Sequence, residues 1–362
     1  MLPLNVNNRG VAGVEGGGTF EDAEKRPAGI PAEGTLLLGK YRVGELVGTG
    51  GMGAVVAARH EHLDERIALK LLHSAYARDP EIRKRFKREG PAAFKLKSEH
   101  VCRVLDAGEL EDGTPFIAME FLDGETLSSI LTRRGALPVS EAIHYALQVC
   151  AGLADAHDNG IVHRDLKPSN LILTKRRDGS ACLKVIDFGI SKIEGMAPPS
   201  TGEVTSTYGF VGSPIYSSPE QLASARGATA KSDIWALGVV LYQMLTGRLP
   251  FDFAGETFAI IATTIARGAP VPMTAIHPGI SPDLEAIVFR CLQKDPQARW
   301  GSVQELSDAL SRFGQGMTTT PKLDASHVKA AFALPTGAER GRARPQEFRT
   351  ESVPIAREES AP

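Results

Sequence analysis

The sequence predicts an α+β fold in two parts: a small antiparallel-sheet lobe with one main helix, then a larger helical lobe. Two textures that follow one another predict it. Residues 41–120 alternate apolar and polar side chains in short runs such as Ala54-Val55-Val56-Ala57 and Ile67-Ala68-Leu69-Lys70. That period of two is the mark of half-buried strands separated by turns. After about residue 124 the period becomes helical. A sheet-rich lobe joined to a helical one leaves a cleft at the junction, and such junctions favour ligand binding.

The elements follow in order. Residues 1–40 read as a flexible leader, with Gly16-Gly17-Gly18, scattered charge and no apolar periodicity. The small lobe is expected over 41–120, with Asp79 as N-cap and Pro80 as first residue of its one helix. The large lobe is expected over 124–313. There Ile143, Ala146, Leu147, Cys150, Leu153, Ala154 and His157 share one stripe of a helix that Ser140 would cap. Ile234 to Thr246 is apolar on nearly all sides, as a helix buried in the centre of a lobe would be. Residues 314–362 read as a disordered tail containing Thr318-Thr319-Thr320-Pro321, with a short helix available at Ala325 to Leu334.

Composition excludes several classes. With 362 residues, 42% hydrophobic, 23% charged and a net charge of −2, the chain is an ordinary globular protein without the basic field of a nucleic-acid binder. The longest mainly apolar stretch, Ile234 to Leu245, is far short of the ~20 residues that span a bilayer, so no membrane span is expected. Met1 to Gly10 lacks a charged-then-apolar signal pattern. Cys102, Cys150, Cys182 and Cys291 are scattered without a C-x-x-C pair, as reduced thiols of a cytoplasmic protein would be.

Gly48-Thr49-Gly50-Gly51-Met52-Gly53 matches G-x-G-x-x-G, a loop whose backbone N–H groups can approach phosphate oxygens without a Cβ in the way. By itself this is equally a hairpin turn or a dinucleotide loop. A dinucleotide loop opens a helix, however, and here a strand follows. Lys70 ends the next apolar run, where an ammonium can reach two phosphates if a carboxylate fixes it. Glu89, in the helix that follows, is the candidate partner. Gly90-Pro91 directly after it predicts a kink, since a proline in a helix interior costs ~3 kcal/mol.

His163-Arg164-Asp165-Leu166-Lys167-Pro168-Ser169-Asn170 is much more specific. Asp165 would accept or orient the proton of an attacking hydroxyl, Lys167 would offset charge on a transferring phosphoryl, and Asn170 would offer an amide oxygen to Mg²⁺. Asp187-Phe188-Gly189 follows a short apolar strand, Leu183 to Ile186, and lies 17 residues after Asn170. A carboxylate there suits a hard cation.

Together these segments resemble the signature set of the protein kinases, and in particular the eukaryotic-like (Hanks-type) serine/threonine kinases of bacteria, over about Tyr41 to Phe313. The resemblance implies the two-lobed protein-kinase fold, ATP in the cleft, and two Mg²⁺ (or Mn²⁺) ions on Asn170 and Asp187. It implies Asp165, Lys167, Lys70 and Glu89 as the catalytic set, and Gly48, Gly50, Gly53 and Lys70 around the phosphates. Val55, Ala68 and Ile172 would sandwich adenine, with Met119 as gatekeeper and Glu120 to Leu122 as the hinge whose backbone bonds the base. Ser218-Pro219-Glu220 resembles the end of the activation segment, Glu220 would pair with Arg299, and Asp233 would anchor the catalytic loop.

The Lys167-Pro168-Ser169-Asn170 run resembles the serine/threonine version of the loop, although Ser213 stands where such kinases usually have threonine. Arg164 implies control by activation-segment phosphorylation, with Thr205 and Thr207 as autophosphorylation sites. Protein substrates and a kinase dimer are the partners that the resemblance suggests, and signalling in the cytoplasm is the expected setting. A pseudokinase scaffold is the main rival reading. A small-molecule phosphotransferase fits less well, because such enzymes lack the Ser-Pro-Glu segment end.

Overall fold

The structure is a computed structural model that describes residues 26–27, 29–50, 53–73, 76, 93–188, 214–224, 227–253 and 257–314. Its first part is a six-stranded antiparallel sheet of order β1-β2-β3-β4-β6-β5, built from β1 (Leu36–Leu37), β2 (Tyr41–Gly50), β3 (Gly53–His60), β4 (Glu65–Leu72), β5 (Val104–Glu109) and β6 (Pro115–Glu120). Alternation along the strands divides the apolar side chains between two cores. Ala54, Val56, Ala58, Leu69, Phe116 and Ala118 pack on the outer face. Val55, Ala57, Ala68, Ile117 and Met119 pack on the face turned to the second part.

Residues before the sheet proper join it, although the sequence pattern assigned 1–40 to a leader. Ile30 is buried in the outer core, β1 pairs with β2, and the Arg26 guanidinium donates to the Gly44 carbonyl at 2.6 Å. An isolated Ile among glycines and prolines has no periodicity, so only the packed sheet shows what it covers. The helix expected from Asp79, and with it Glu89 and Gly90-Pro91, lies outside the described residues.

The second part is helical around one further small sheet, β7 (Gly124–Thr126), β8 (Leu171–Lys175) and β9 (Ala181–Val185), in the order β7-β8-β9. Helix α1 (Leu127–Arg134) is capped by Thr126, whose hydroxyl accepts from the Ser129 N–H at 3.2 Å. Helix α2 (Val139–Asp158) carries the expected stripe, but Ser140 does not cap it. Pro138 holds the N-cap position, and its carbonyl accepts the first helical bond from Ala142 at 2.9 Å.

Short α3 (Pro219–Ala223) leads to α4 (Ala230–Thr246), the buried central helix that the apolar run predicted. Thr229 and Ser232 form a capping box at its start, a feature worth about 1 kcal/mol. Gly247 ends it at φ 70°, a left-handed conformation that suits glycine. Helices α5 (Phe258–Arg267), α6 (Met273–Ile276), α7 (Pro282–Cys291) and α8 (Val303–Gly314) complete the large core. Among the described residues no helix is long and apolar enough to cross a membrane.

Candidate active site

The glycine segment is the β2–β3 hairpin, with Gly48 opposite Val55 and Gly50 opposite Gly53; Gly51 and Met52 lie outside the described residues. Gly53 is required by close approach, since a Cβ there would stand 2.1 Å from the Leu71 carbonyl oxygen. Lys70 is the register partner of Val55 and lies two residues from Ala68 and Leu72, so the pleat turns all of them to the cleft face. Its ammonium pairs with Asp187 Oδ1 at 2.7 Å, both side chains being largely buried.

Val55, Ala68, Met119, Leu122 and Ile172, the expected adenine contacts, fall in one apolar cluster with Val47, Val104 and Ile186. These residues come from both parts of the chain. The cluster joins the sheet to β8, and β6 ends beside it at Glu120, with Leu122 a member of the cluster.

The charged residues gather at one end of the β8–β9 ladder. The β8–β9 hairpin pairs Leu171 with Val185, which brings Asn170 and Asp187 to the same end of the ladder. The Ile186 N–H donates to the Asn170 carbonyl at 3.0 Å and strengthens that approach. Asn170 in turn gives its side-chain amide to the Asp165 carbonyl at 2.8 Å, and Lys167 Nζ lies 2.7 Å from Asp165 Oδ2. Asp165, Lys167, Asn170, Asp187 and Lys70 therefore form one connected group.

Two residues of this group's frame are held in left-handed conformations, Arg164 at φ 67° and Asp187 at φ 62°. Each costs about 1–2 kcal/mol without a glycine, so surrounding bonds must hold it. At Arg164 those bonds are visible. Buried Asp233 accepts from the N–H groups of His163 and Arg164 at 2.8 and 2.9 Å, and Gln221 donates to the Arg164 carbonyl at 3.0 Å. His157, which the sequence pattern placed merely on an apolar stripe, bonds the same Asp233 carboxylate at 2.8 Å.

His163 ties the two motifs together. Its Nε2 meets the Ile186 carbonyl at 2.9 Å, its Nδ1 accepts from the Asp165 N–H at 3.2 Å, and its ring stands edge-on to Phe188. A histidine next to the expected base could be found from its place in the motif. His157 and Gln221 leave no such signal, because their partners are distant in sequence.

The oxygen donors suit magnesium. Asn170 turns its amide nitrogen to the Asp165 carbonyl, which directs its Oδ1 away from that bond. Among the described residues there is no cluster of three or more His, Cys, Asp or Glu able to hold a metal alone. One carboxylate and one amide oxygen match an ion that shares its shell with water and nucleotide phosphates.

Glu220 and Arg299 form the expected pair, two parallel bonds of 2.7 and 2.8 Å with the guanidinium fully buried. Burial pushes the Glu220 carboxyl up, but the Arg299 and Ser232 bonds outweigh it and leave the carboxyl below its ordinary value. Thr205, Thr207 and Ser213 lie outside the described residues.

Sheet, helical lobe and the acid–amide–ammonium cluster between them define the class, the two-lobed protein-kinase fold. The protein kinase domain family matches residues 41–310. The serine/threonine-protein kinase pkn3 of Myxococcus xanthus is 38% identical over 310 residues, which is 83% of this chain and 55% of that protein. PknB of Mycobacterium leprae is 37% identical over 283 residues, 77% of this chain and 44% of that one. The crystal structure of the Mycobacterium tuberculosis PknI kinase domain matches with a TM-score of 0.60 at 29% identity, covering 78% of this chain and 99% of that domain. The chain belongs to the protein kinase family, in its bacterial Hanks-type serine/threonine branch. It spans about half the length of the curated relatives it matches.

Proposed function

We propose that this chain transfers the γ-phosphoryl group of ATP to serine or threonine hydroxyls of proteins. The connected group of Asp165, Lys167, Asn170, Asp187 and Lys70 is the observation that carries this reading. Asp165 orients the attacking hydroxyl and receives its proton. Lys167, already 2.7 Å from that carboxylate, sets positive charge beside the phosphoryl group in transfer. Lys70 holds the phosphates, and Glu89 is the second carboxylate proposed to steady it. Mg²⁺, or Mn²⁺ in its place, would be held by Asn170 and Asp187 and would neutralise charge on the β- and γ-phosphate oxygens. Catalysis of this kind is positioning plus electrostatic stabilisation.

Autophosphorylation at Thr205 and Thr207 belongs to the same proposal. A phosphate there adds about −1.5 to −2 charge and gives Arg164 a partner. A cytoplasmic setting, protein substrates and a kinase dimer complete it. The retained Lys70, Asp165, Asn170 and Asp187 favour turnover over the pseudokinase reading.

Incubation with ATP and Mg²⁺ followed by phosphopeptide mass spectrometry tests the proposal. The parent should incorporate phosphate at Thr205 and Thr207, and Asp165→Asn should reduce the rate by about 10²–10⁴-fold while still binding ATP. Equal turnover by parent and variant would overturn the role of Asp165. Nucleotide binding with no transfer by the parent would establish the scaffold instead.

A further inference from the structure

Glu120 ends β6 beside the apolar cluster, and both its backbone and its carboxylate are bonded to neighbours. Its N–H donates to the Arg103 carbonyl at 2.9 Å, and its carboxylate accepts from the Arg103 N–H at 2.7 Å. Those two bonds close a ring around one residue. Lys184 adds a third, its Nζ lying 2.7 Å from the same carboxylate oxygen, Oε1. The ion pair is mostly shielded, with side-chain exposures of 15% for Lys184 and 23% for Glu120. The next residue, Phe121, is covered by the Arg66 guanidinium at 3.8 Å.

An ion pair between two strands is usually only packing. Three features point further here. Lys184 is the register partner of Ile172, a member of the apolar cluster, so it stands directly beside that cluster. It also lies on β9, the strand that leads into Asp187. And the Glu120 carbonyl oxygen, on the same residue, receives a long contact of 3.8 Å from the Cys102 thiol. That contact is weak, and a better donor would replace it.

Resting on the nucleotide-binding reading above, we propose that Lys184 is a positioning residue for the base of the nucleotide. By pinning the Glu120 carboxylate it presents the Glu120 carbonyl to the 6-amino group of adenine, and so contributes to selection of a 6-amino purine. Loss of the ammonium leaves a shielded carboxylate with one donor fewer. The side chain then turns toward water and the carbonyl loses its fixed direction.

Equilibrium binding of Mg-ATP and Mg-ITP to the full chain tests this, because inosine carries a 6-oxo group in place of the amino group. Lys184→Met should weaken ATP binding about three- to tenfold, the scale of one well-aligned hydrogen bond, and leave ITP binding nearly unchanged. Lys184→Arg should restore the preference for ATP. If both nucleotides weaken equally, or neither does, Lys184 is structural only and the proposal fails. Should the Met variant not fold, Lys184→Gln measured with the same two ligands decides the question. A parent that binds neither nucleotide would sink the functional reading as well, whereas a parent that binds ATP normally with no effect of Lys184 sinks this inference alone.

Discussion

Removing the Glu220 carboxylate should destabilise the large lobe out of proportion to the atoms lost. Arg299 is fully buried and makes two bonds to Glu220, together with bonds to the carbonyls of Gln293 at 2.8 Å, Lys231 at 2.9 Å and Lys294 at 3.2 Å. In Glu220→Ala the three carbonyls remain, but the guanidinium charge has no counter-ion in a site that water does not reach. Breaking a buried pair in this way costs about 3–5 kcal/mol. At about 2–4 °C per kcal/mol for a domain of this size, the melting temperature should fall by about 6–20 °C.

The double variant Glu220→Ala/Arg299→Met removes the orphaned charge and should recover part of that loss. The pH dependence carries a definite sign. The folded carboxyl lies below its ordinary 4.5, so between the two values the unfolded chain binds more protons. The contribution of Glu220 is therefore complete above pH 4.5 and is lost as pH falls through the folded value. Urea unfolding of parent and variants from pH 3.5 to 8 measures all of this. A Glu220→Ala midpoint equal to the parent's at pH 7, or a gap that widens in acid, would refute the reasoning.

Gly238 lies inside α4, where alanine would ordinarily stabilise a helix by about 1 kcal/mol. A Cβ there would stand 2.5 Å from the Cys291 Cβ, so Gly238→Ala should instead lower stability by about 1–3 kcal/mol, and a raised urea midpoint would contradict that. Cys102, Cys150, Cys182 and Cys291 are free and buried, and burial raises each thiol, Cys291 to about 12. Iodoacetamide at pH 8 should leave all four unmodified in the native protein and alkylate them in urea; rapid native labelling would contradict the burial of these thiols.

Much of the site was legible because its parts are local. Asp165, Lys167 and Asn170 sit within one loop, and their spacing survives any change in the surrounding fold. The strands were equally legible, since a period of two assigns Val55, Ala57 and Ala68 to one face before any neighbour is known. Helix α4 declared itself by being apolar all round. Ser140 misled because a capping residue must have non-helical backbone, and Pro138, two residues earlier, already occupies that position.

What the tertiary structure alone decided are the bonds between side chains far apart in sequence. His157 and the His163 and Arg164 backbone converge on Asp233, Lys184 reaches Glu120, and Ile30 finds the outer core. Pattern along a chain reports the face on which a residue lies. It carries no information about which distant polar group will stand opposite once two elements pack. That choice is made by strand register and helix packing, and it holds Arg164 in its left-handed conformation.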